Sequence, residues 1–417
     1  MPASREVLII GAGIGGLTLA LALEKRGVPA RVFEAAPELK PIGVGLNLLP
    51  HAVAELAALN LLDALAERAV ITQEAAFFNR YGQLIHREPA GQHAGYRCPQ
   101  LSLHRGDLQA VLLEAVAQRL GRERVHFGWR ATGAAEAGDL MRAEFVDVAG
   151  ARLPPQEGAI LIACDGIHSV IRRQLYPDEG EPVYSGVNMW RGVTRQAPFL
   201  TGASMVRAGW LTTGKMVIYP IRRHADGSQL INWVAELETP HYRRWDWNRP
   251  GRQEDFIPAF ADWHFDWLDV PALIRGAQAI LEFPMVDRDP LPRWSFGRLT
   301  LLGDAAHPML PRGSNGAVQA ILDVRALADR LAAGTDWVRA LADYDQERRA
   351  ATTAVVLANR SHPPDAILRE IYLRTGDRPF GKIDDVISTA ELMQISERYK
   401  RVSGYARVGA TAAEPPN

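Results

Sequence analysis

The feature that most constrains the fold is Gly11-Ala12-Gly13-Ile14-Gly15-Gly16, read together with the residues on either side. Ahead of it, Val7–Ile10 is a short, wholly apolar run, the pattern of a strand covered on both faces in a parallel sheet. Behind it, residues 17–25 suit a helix that stops at Gly27, and residues 31–34 suit the next strand. A GxGxxG alone is weak, but between a strand and a helix of a βαβ unit each glycine has a job. Gly11 permits the tight turn, Gly13 lets backbone approach a pyrophosphate, and Gly16 allows close helix–strand packing. Ile14 and Gly15 open the helix, whose free N–H groups and positive dipole end suit phosphates. Glu34 ends the second strand 18 positions after Gly16 and is followed by Ala35. A carboxylate there accepts from ribose hydroxyls and repels a 2′-phosphate, so FAD or NAD is expected and NADP is not.

At 417 residues, two or three structural units are expected. Lys and Arg total 47 against 48 Asp and Glu, so no global field would hold nucleic acid or an acidic membrane. The two cysteines, Cys98 and Cys164, lack metal-ligand spacing, which argues against a disulfide scaffold or a metal site and fits a cytoplasmic setting. The first strand begins too early to leave room for a signal peptide, and no apolar run is long enough to span a bilayer.

Further along, residues 51–59 and 61–68 read as short helices and residues 74–80 and 83–86 as a hairpin around Tyr81-Gly82. Residues 106–120 form an amphipathic helix, and residues 159–163 and 299–302 repeat the buried-strand pattern. From about Val183 to Glu236, alternating segments indicate an antiparallel sheet. Helices are expected over residues 316–331, 337–359 and near 384–400. Parallel-type strands at both ends with a sheet between them give an α/β class. They imply a discontinuous Rossmann-like domain (1–72, 97–180 and 284–360) interrupted by an antiparallel-sheet domain (73–96 and 181–283). A helical C-terminal segment (361–417) follows.

Two more motifs follow buried strands. Cys164-Asp165-Gly166-Ile167-His168-Ser169 is a strand–turn–helix with Ser169 as a possible cap. Gly303-Asp304 ends the strand over 299–302 and leads through Pro311-Arg312-Gly313-Ser314-Asn315-Gly316 into a helix. Asp304 at a strand end can bind a polyol hydroxyl. Glycines at 313 and 316 let backbone N–H groups reach an electron-rich ring, and the helix dipole would stabilise negative charge there.

In this order the three motifs resemble those of the FAD-dependent aromatic hydroxylases, the single-component flavoprotein monooxygenases, over the chain to about Asn359. More narrowly, residues 189–193 (MWRGV), 246–255, 260–263, 284–290 (PMVDRDP) and 315–323 are similar to the phenazine-hydroxylase subfamily that forms pyocyanin. The resemblance implies Gly11, Gly13 and Gly16 at the FAD pyrophosphate, Glu34 at the adenosine ribose and Arg105 near the ribityl and pyrophosphate groups. It places Asp304 at the same region, Asn315 and Gly316 against the isoalloxazine, and Asp165 in both FAD and NAD(P)H binding. It also implies that NAD(P)H reduces FAD, that O2 forms a flavin hydroperoxide, and that an aromatic ring is hydroxylated, with loss of a carboxylate in the phenazine relative. Epoxidases and Baeyer–Villiger-type oxygenases share the fold and are the alternative. Partners beyond the aromatic substrate and O2 are not expected, as monomer or homodimer.

Arg312 stands where the family usually carries a small or apolar residue. It could grip a substrate carboxylate or turn outward into solvent. Arg191 and Tyr219, the latter read at a strand end before Pro220, are the other substrate-side candidates. His307 reads as a packing histidine. Trp245, Trp247, Trp263 and Trp267 read as packing between domains, Arg243-Arg244 as a solvated face, and Asp345, Glu347, Arg348 and Arg349 as charges on an exposed helix.

Overall fold

The computed structural model describes residues 6–39, 44–239 and 249–406. Arg243, Arg244, Trp245, Trp247 and the 246–248 end of one similar stretch lie outside the described residues. The chain is α/β.

Five parallel strands build one sheet. Their spatial order is Val125–Phe127, Ala30–Glu34, Val7–Ile10, Ile160–Ala163 and Leu299–Leu301, with the short Ser295–Phe296 antiparallel at the edge. This is the 3-2-1-4-5 order of a dinucleotide fold, and the order reverses between Val7–Ile10 and Ile160–Ala163. Ligands bind outside the carboxyl ends of strands at such a reversal, where the first two glycine motifs emerge. Helix Ile14–Glu24 is buried along nearly its whole length because Arg105–Arg119 and Asn315–Ala333 pack on it.

The second large sheet has eight strands. Their order is Arg249–Pro250, Ile280–Asp287, Val183–Gln196, Gln229–Glu238, Gly214–Arg223, Ser204–Trp210, Glu74–Phe78 and Leu84–Pro89. Only Ser204–Trp210 with Glu74–Phe78 is parallel. Side chains alternate between its faces. The outer face sends Trp190, Val206, Ile218 and Trp233 into a core with Phe256, Phe260 and Trp263. Trp263 and Trp267 thus pack on the far side of this sheet, not between the two sheets.

Several elements depart from the sequence reading. Arg130–Ala137, Leu140–Val146 and Arg152–Gly158 form an unforeseen antiparallel sheet. Helix Ala366–Thr375 precedes a last helix that begins at Thr389, where Ser388 and Glu391 form a capping box. Tyr219 lies within strand Gly214–Arg223, which continues through Pro220. The register shifts between Pro220 and Arg222, so the missing N–H is accommodated at a bulge.

Candidate functional site

The first motif is built by contact with the second. Gly11 has φ +101, and a Cβ there would stand 2.5 Å from the Cys164 carbonyl oxygen, so only glycine fits the turn. A Cβ on Gly16 would meet the Gly11 carbonyl oxygen at 2.0 Å, whereas one on Gly13 would meet nothing within 4 Å. Gly13 therefore faces open space at the N-terminus of helix Ile14–Glu24, which has no side-chain cap. Glu34 accepts from the Ala12 and Ala36 N–H groups, each at 2.8 Å, so it shapes the turn. Ala35 beside it is exposed.

Ser169 caps helix Val170–Leu175 by accepting from the Arg172 N–H. Asp165 accepts from the Val170 N–H through Oδ2 at 2.9 Å, while its buried Oδ1 has no partner. Burial pushes this carboxyl up, against the hydrogen bonds from Ser169 and Val170. Arg172, 2% exposed, donates to the carbonyls of Ala305 and Ala306 at 3.0 and 2.8 Å, tying this motif to the third.

In the third motif Asp304 has accessible surface. Protein nevertheless surrounds it, and burial raises its carboxyl, with His307 and Arg105 opposing. Both facts hold if its surface opens into a cleft rather than bulk solvent. A Cβ on Gly316 would lie 3.9 Å from Asp304 Oδ1. Arg105, exposed at the start of helix Arg105–Arg119, acts electrostatically on both Asp304 and Arg191, so it lies near each of them. Pro311 is exposed and Gly313 takes φ +67.

A buried hydrogen-bond chain holds this loop from behind. His307 pairs with Asp323, which also accepts from Arg348 Nε at 2.7 Å. Burial opposes ionisation of Asp323, but His307 and Arg348 outweigh it and hold the carboxyl low. Arg348 donates to Gln319, Gln319 to Asn315, Asn315 to the Tyr399 hydroxyl at 2.7 Å, and Tyr399 to Asn359 at 2.6 Å. The Asn315 side chain therefore points to Tyr399, and only its backbone is available to a ligand in front. Arg348 and Asp345 are buried, contrary to the exposed-helix reading; Asp345 accepts from the Trp294 and Ser295 N–H groups. Among the described residues no three His, Cys, Asp or Glu converge as a metal site.

The inner face of the eight-stranded sheet sets charged side chains among apolar ones such as Met189, Val217 and Val234. Arg191 donates to the Gly45 carbonyl at 2.9 Å and interacts with the Tyr219 hydroxyl. Burial raises the Tyr219 phenol while Arg191 opposes it, and burial lowers Arg191. Lys215 bridges Glu236 at 2.9 Å and Asp365 at 2.5 Å. Arg312 is 9% exposed, so it is not the solvated charge of the second reading. It donates to the Asn359 carbonyl at 3.3 Å, and its buried Nε has no partner.

Residues absent from the sequence reading complete the site. Arg207, Tyr399, Lys400 and Tyr405 line a cavity that reaches Gly313 and Ser314. Alternation along Ser204–Trp210 puts Arg207 on the inner face, and that signal was available in the sequence.

The described residues suit FAD in the places that matter for fit. An orphaned buried acceptor on Asp165, open space at Gly13 and two uncapped helix N-termini are what its phosphates and hydroxyls require.

Comparison with known proteins identifies the family. Residues 4–359 match the model of the family described as FAD binding domain. The chain is 42% identical over 404 residues, 95% of its length and 97% of the relative's, to phenazine 1,6-dicarboxylic acid hydroxylase PhzS of Lysobacter antibioticus. It is 34% identical over 82% of its length and 84% of the relative's to 3-amino-4-hydroxybenzoate 2-monooxygenase PtnB3 of Streptomyces platensis. Klebsiella pneumoniae HpxO, solved with FAD and uric acid, shares the fold with a TM-score of 0.72 at 24% identity, covering 96% of this chain and 93% of that one.

Proposed function

The chain belongs to the FAD binding domain family, and on that premise we propose that it is a monooxygenase that uses NADH or NADPH and O2 to hydroxylate a carboxylated or phenazine-like aromatic molecule. One observation carries the reading: three motifs leave the carboxyl ends of the adjacent strands Val7–Ile10, Ile160–Ala163 and Leu299–Leu301, the first two at the order reversal of a dinucleotide sheet. FAD, when bound, supplies the redox chemistry, accepting a hydride and activating O2 for transfer of one oxygen atom to a ring carbon.

The chain's own residues bind, orient and exclude water. Gly11, Gly13, Ile14, Gly15 and Gly16 receive the pyrophosphate, and Glu34 with Ala35 flanks the adenosine ribose. Arg105, Asp165 and Asp304 hold the middle of the cofactor, and Pro311, Gly313, Asn315 and Gly316 present backbone to its ring. Segments 1–72, 97–180 and 284–360 serve as the cofactor unit, covered by 73–96 and 181–283. Val217, Val234 and Leu310 keep the space between them apolar, which disfavours wasteful loss of peroxide to water. Tyr219, its phenol raised by burial, stays protonated at neutral pH and serves with Arg191 and Arg312 to orient substrate rather than to remove protons.

The test is anaerobic reduction of the purified yellow protein by NADH and by NADPH, with and without phenazine and benzoate carboxylates. Faster reduction with one aromatic supports the reading; no reduction by either nucleotide refutes it. Asp304→Ala protein should emerge with little bound FAD, and full flavin occupancy would remove the assignment of Asp304.

A further inference from the structure

Strand register sets a row of side chains across the inner face of the eight-stranded sheet. Arg191 lies opposite Val234, Val234 opposite Val217, Val217 opposite Arg207, and Arg207 opposite Phe77. Paired strands lie about 4.8 Å apart, so the two arginine Cα atoms are about 14 Å apart with two valines between them. The row is a narrow apolar floor with a guanidinium at each end. Phe77 extends it past Arg207, whose guanidinium lies 5.5 Å from the ring centroid.

Both arginines have donors to spare. Arg191 has no carboxylate within 4.0 Å among the described residues, and its buried Nε is unpartnered. It keeps some accessible surface, as does Val217, although protein lies on both sides of the sheet. Arg207 reaches Asp365 at 3.2 Å through Nε, and Lys215 already engages that carboxylate. Arg207 also lines the cavity beside Gly313. Charge on this face is unbalanced. Arg191, Arg207, Lys215 and the facing Arg312 stand against Glu236 and Asp365, an excess of two positive charges. Asp287 at the sheet's edge is matched by Arg360. Buried cations without partners are costly, so two anionic groups from a ligand would relieve the site.

We propose that Arg191 and Arg207 are specificity determinants that take a flat, fused-ring aromatic with an acid group at each end, its rings along Val234 and Val217. The inference rests on the hydroxylase reading and names the charge pattern of its substrate. Guanidinium pairs carboxylate through two parallel N–H donors, which fixes direction as well as affinity. A ring with one acid group can then dock either way round, and a neutral ring finds only the floor.

The FAD-loaded protein is titrated with phenazine-1,6-dicarboxylate, phenazine-1-carboxylate and phenazine, followed by flavin absorbance. Wild type, Arg191→Met, Arg207→Met and the double variant are compared. The dicarboxylate should bind wild type tightest and loosen about tenfold or more in each single variant, while phenazine is unchanged. The monocarboxylate should weaken fully only in the double variant, because either arginine suffices for it. Arg207→Met leaves Asp365 its Lys215 partner. Arg191→Lys and Arg207→Lys should recover part of the affinity. Comparison of ligands within one variant separates charge recognition from general loosening. If a single variant loosens phenazine as much as the dicarboxylate, the arginines are structural and the proposal fails. If wild type binds the dicarboxylate no tighter than phenazine, the proposal fails while the hydroxylase reading stands. If wild type binds none of the three, the proposal fails, and the hydroxylase reading fails with it only if neither NADH nor NADPH reduces the flavin.

Discussion

Among the buried polar groups that the protein leaves without a partner, two tie stability to pH. Asp165 is one: its Oδ1 is buried without a partner, and burial pushes its carboxyl above the ordinary value. A raised folded value means that the folded chain keeps the proton to higher pH than the unfolded chain. Stability is therefore greatest below the ordinary carboxyl value and is lost as pH rises through the raised one. Asp165→Asn removes that charge and should stabilise the apoprotein at neutral pH by about 1–3 kcal/mol while weakening FAD retention. Thermal melts of both apoproteins at pH 7.5 check this; equal or lower melting of the variant would show that Asp165 carries no such strain. His51 is the other. Its ring stacks on Tyr405 with centroids 5.4 Å apart, and both ring nitrogens are buried without partners. Burial, helped by Arg348, lowers its pKa from 6.5 to about 4. The unfolded chain therefore takes the proton first, and stability should fall between pH 6.5 and 4 by one proton's worth of slope. His51→Phe keeps the stack and removes that slope. Urea unfolding at pH 7.5, 6 and 5 measures it, and parallel pH dependences in the two proteins would contradict the assignment.

At the scale of elements, the loop from Leu310 to Asn315 is held by helices that come later in the chain. Tyr399, in helix Thr389–Val402, accepts from Asn315 and donates to Asn359, and Asn359 donates to the Leu310 carbonyl at 3.2 Å. A Cβ on Gly313 would lie 2.0 Å from the Tyr399 hydroxyl, so loop and helix are in direct contact. Tyr399→Phe leaves two buried amides short of a partner, which costs about 1–3 kcal/mol. The expected result is a lower melting temperature together with weaker FAD binding. A lower melting temperature with unchanged FAD affinity would mean that the helix braces the fold without shaping the loop. This dependence was not legible in the sequence, because Tyr399 and Asn315 are 84 positions apart and nothing local marks their meeting. The same limit explains Arg348, whose charged neighbours resemble a solvated helix face although its partner Asp323 lies on another helix. The glycine turns and the strands at Val7–Ile10, Ile160–Ala163 and Leu299–Leu301 were legible, since local sterics and two-sided burial leave a local signature. The sheet beginning at Arg130–Ala137 was not: that strand is rich in alanine and glycine, and Arg152–Gly158 carries Pro154 and Pro155, so β-propensity is weak.

Across the whole molecule, the candidate cofactor site is assembled from segments almost 300 positions apart, so something must set their spacing. The sheet does part of this, since Ile160–Ala163 pairs with both Val7–Ile10 and Leu299–Leu301. Beyond the strand ends the task falls to Arg172. It spans from the helix of the second motif to the carbonyls of Ala305 and Ala306, beside Asp304, and its other edge is fixed by Glu179. Nothing in this arrangement requires Arg172 to touch a ligand. Arg172→Met should nevertheless weaken FAD binding, because two buried carbonyls lose their donors and Asp304 loses its fixed distance from Asp165. Glu179 retains Arg288 at 3.2 Å, which limits the collateral damage to the fold. Ligand binding also adds to stability by mass action, about 2.7 kcal/mol at a hundredfold excess over Kd. At one fixed FAD concentration, the FAD-induced rise in melting temperature should therefore be smaller in Arg172→Met than in wild type. If the variant apoprotein melts earlier yet gains the same increment from FAD, the second and third motifs are placed independently by the sheet, and Arg172 contributes stability alone.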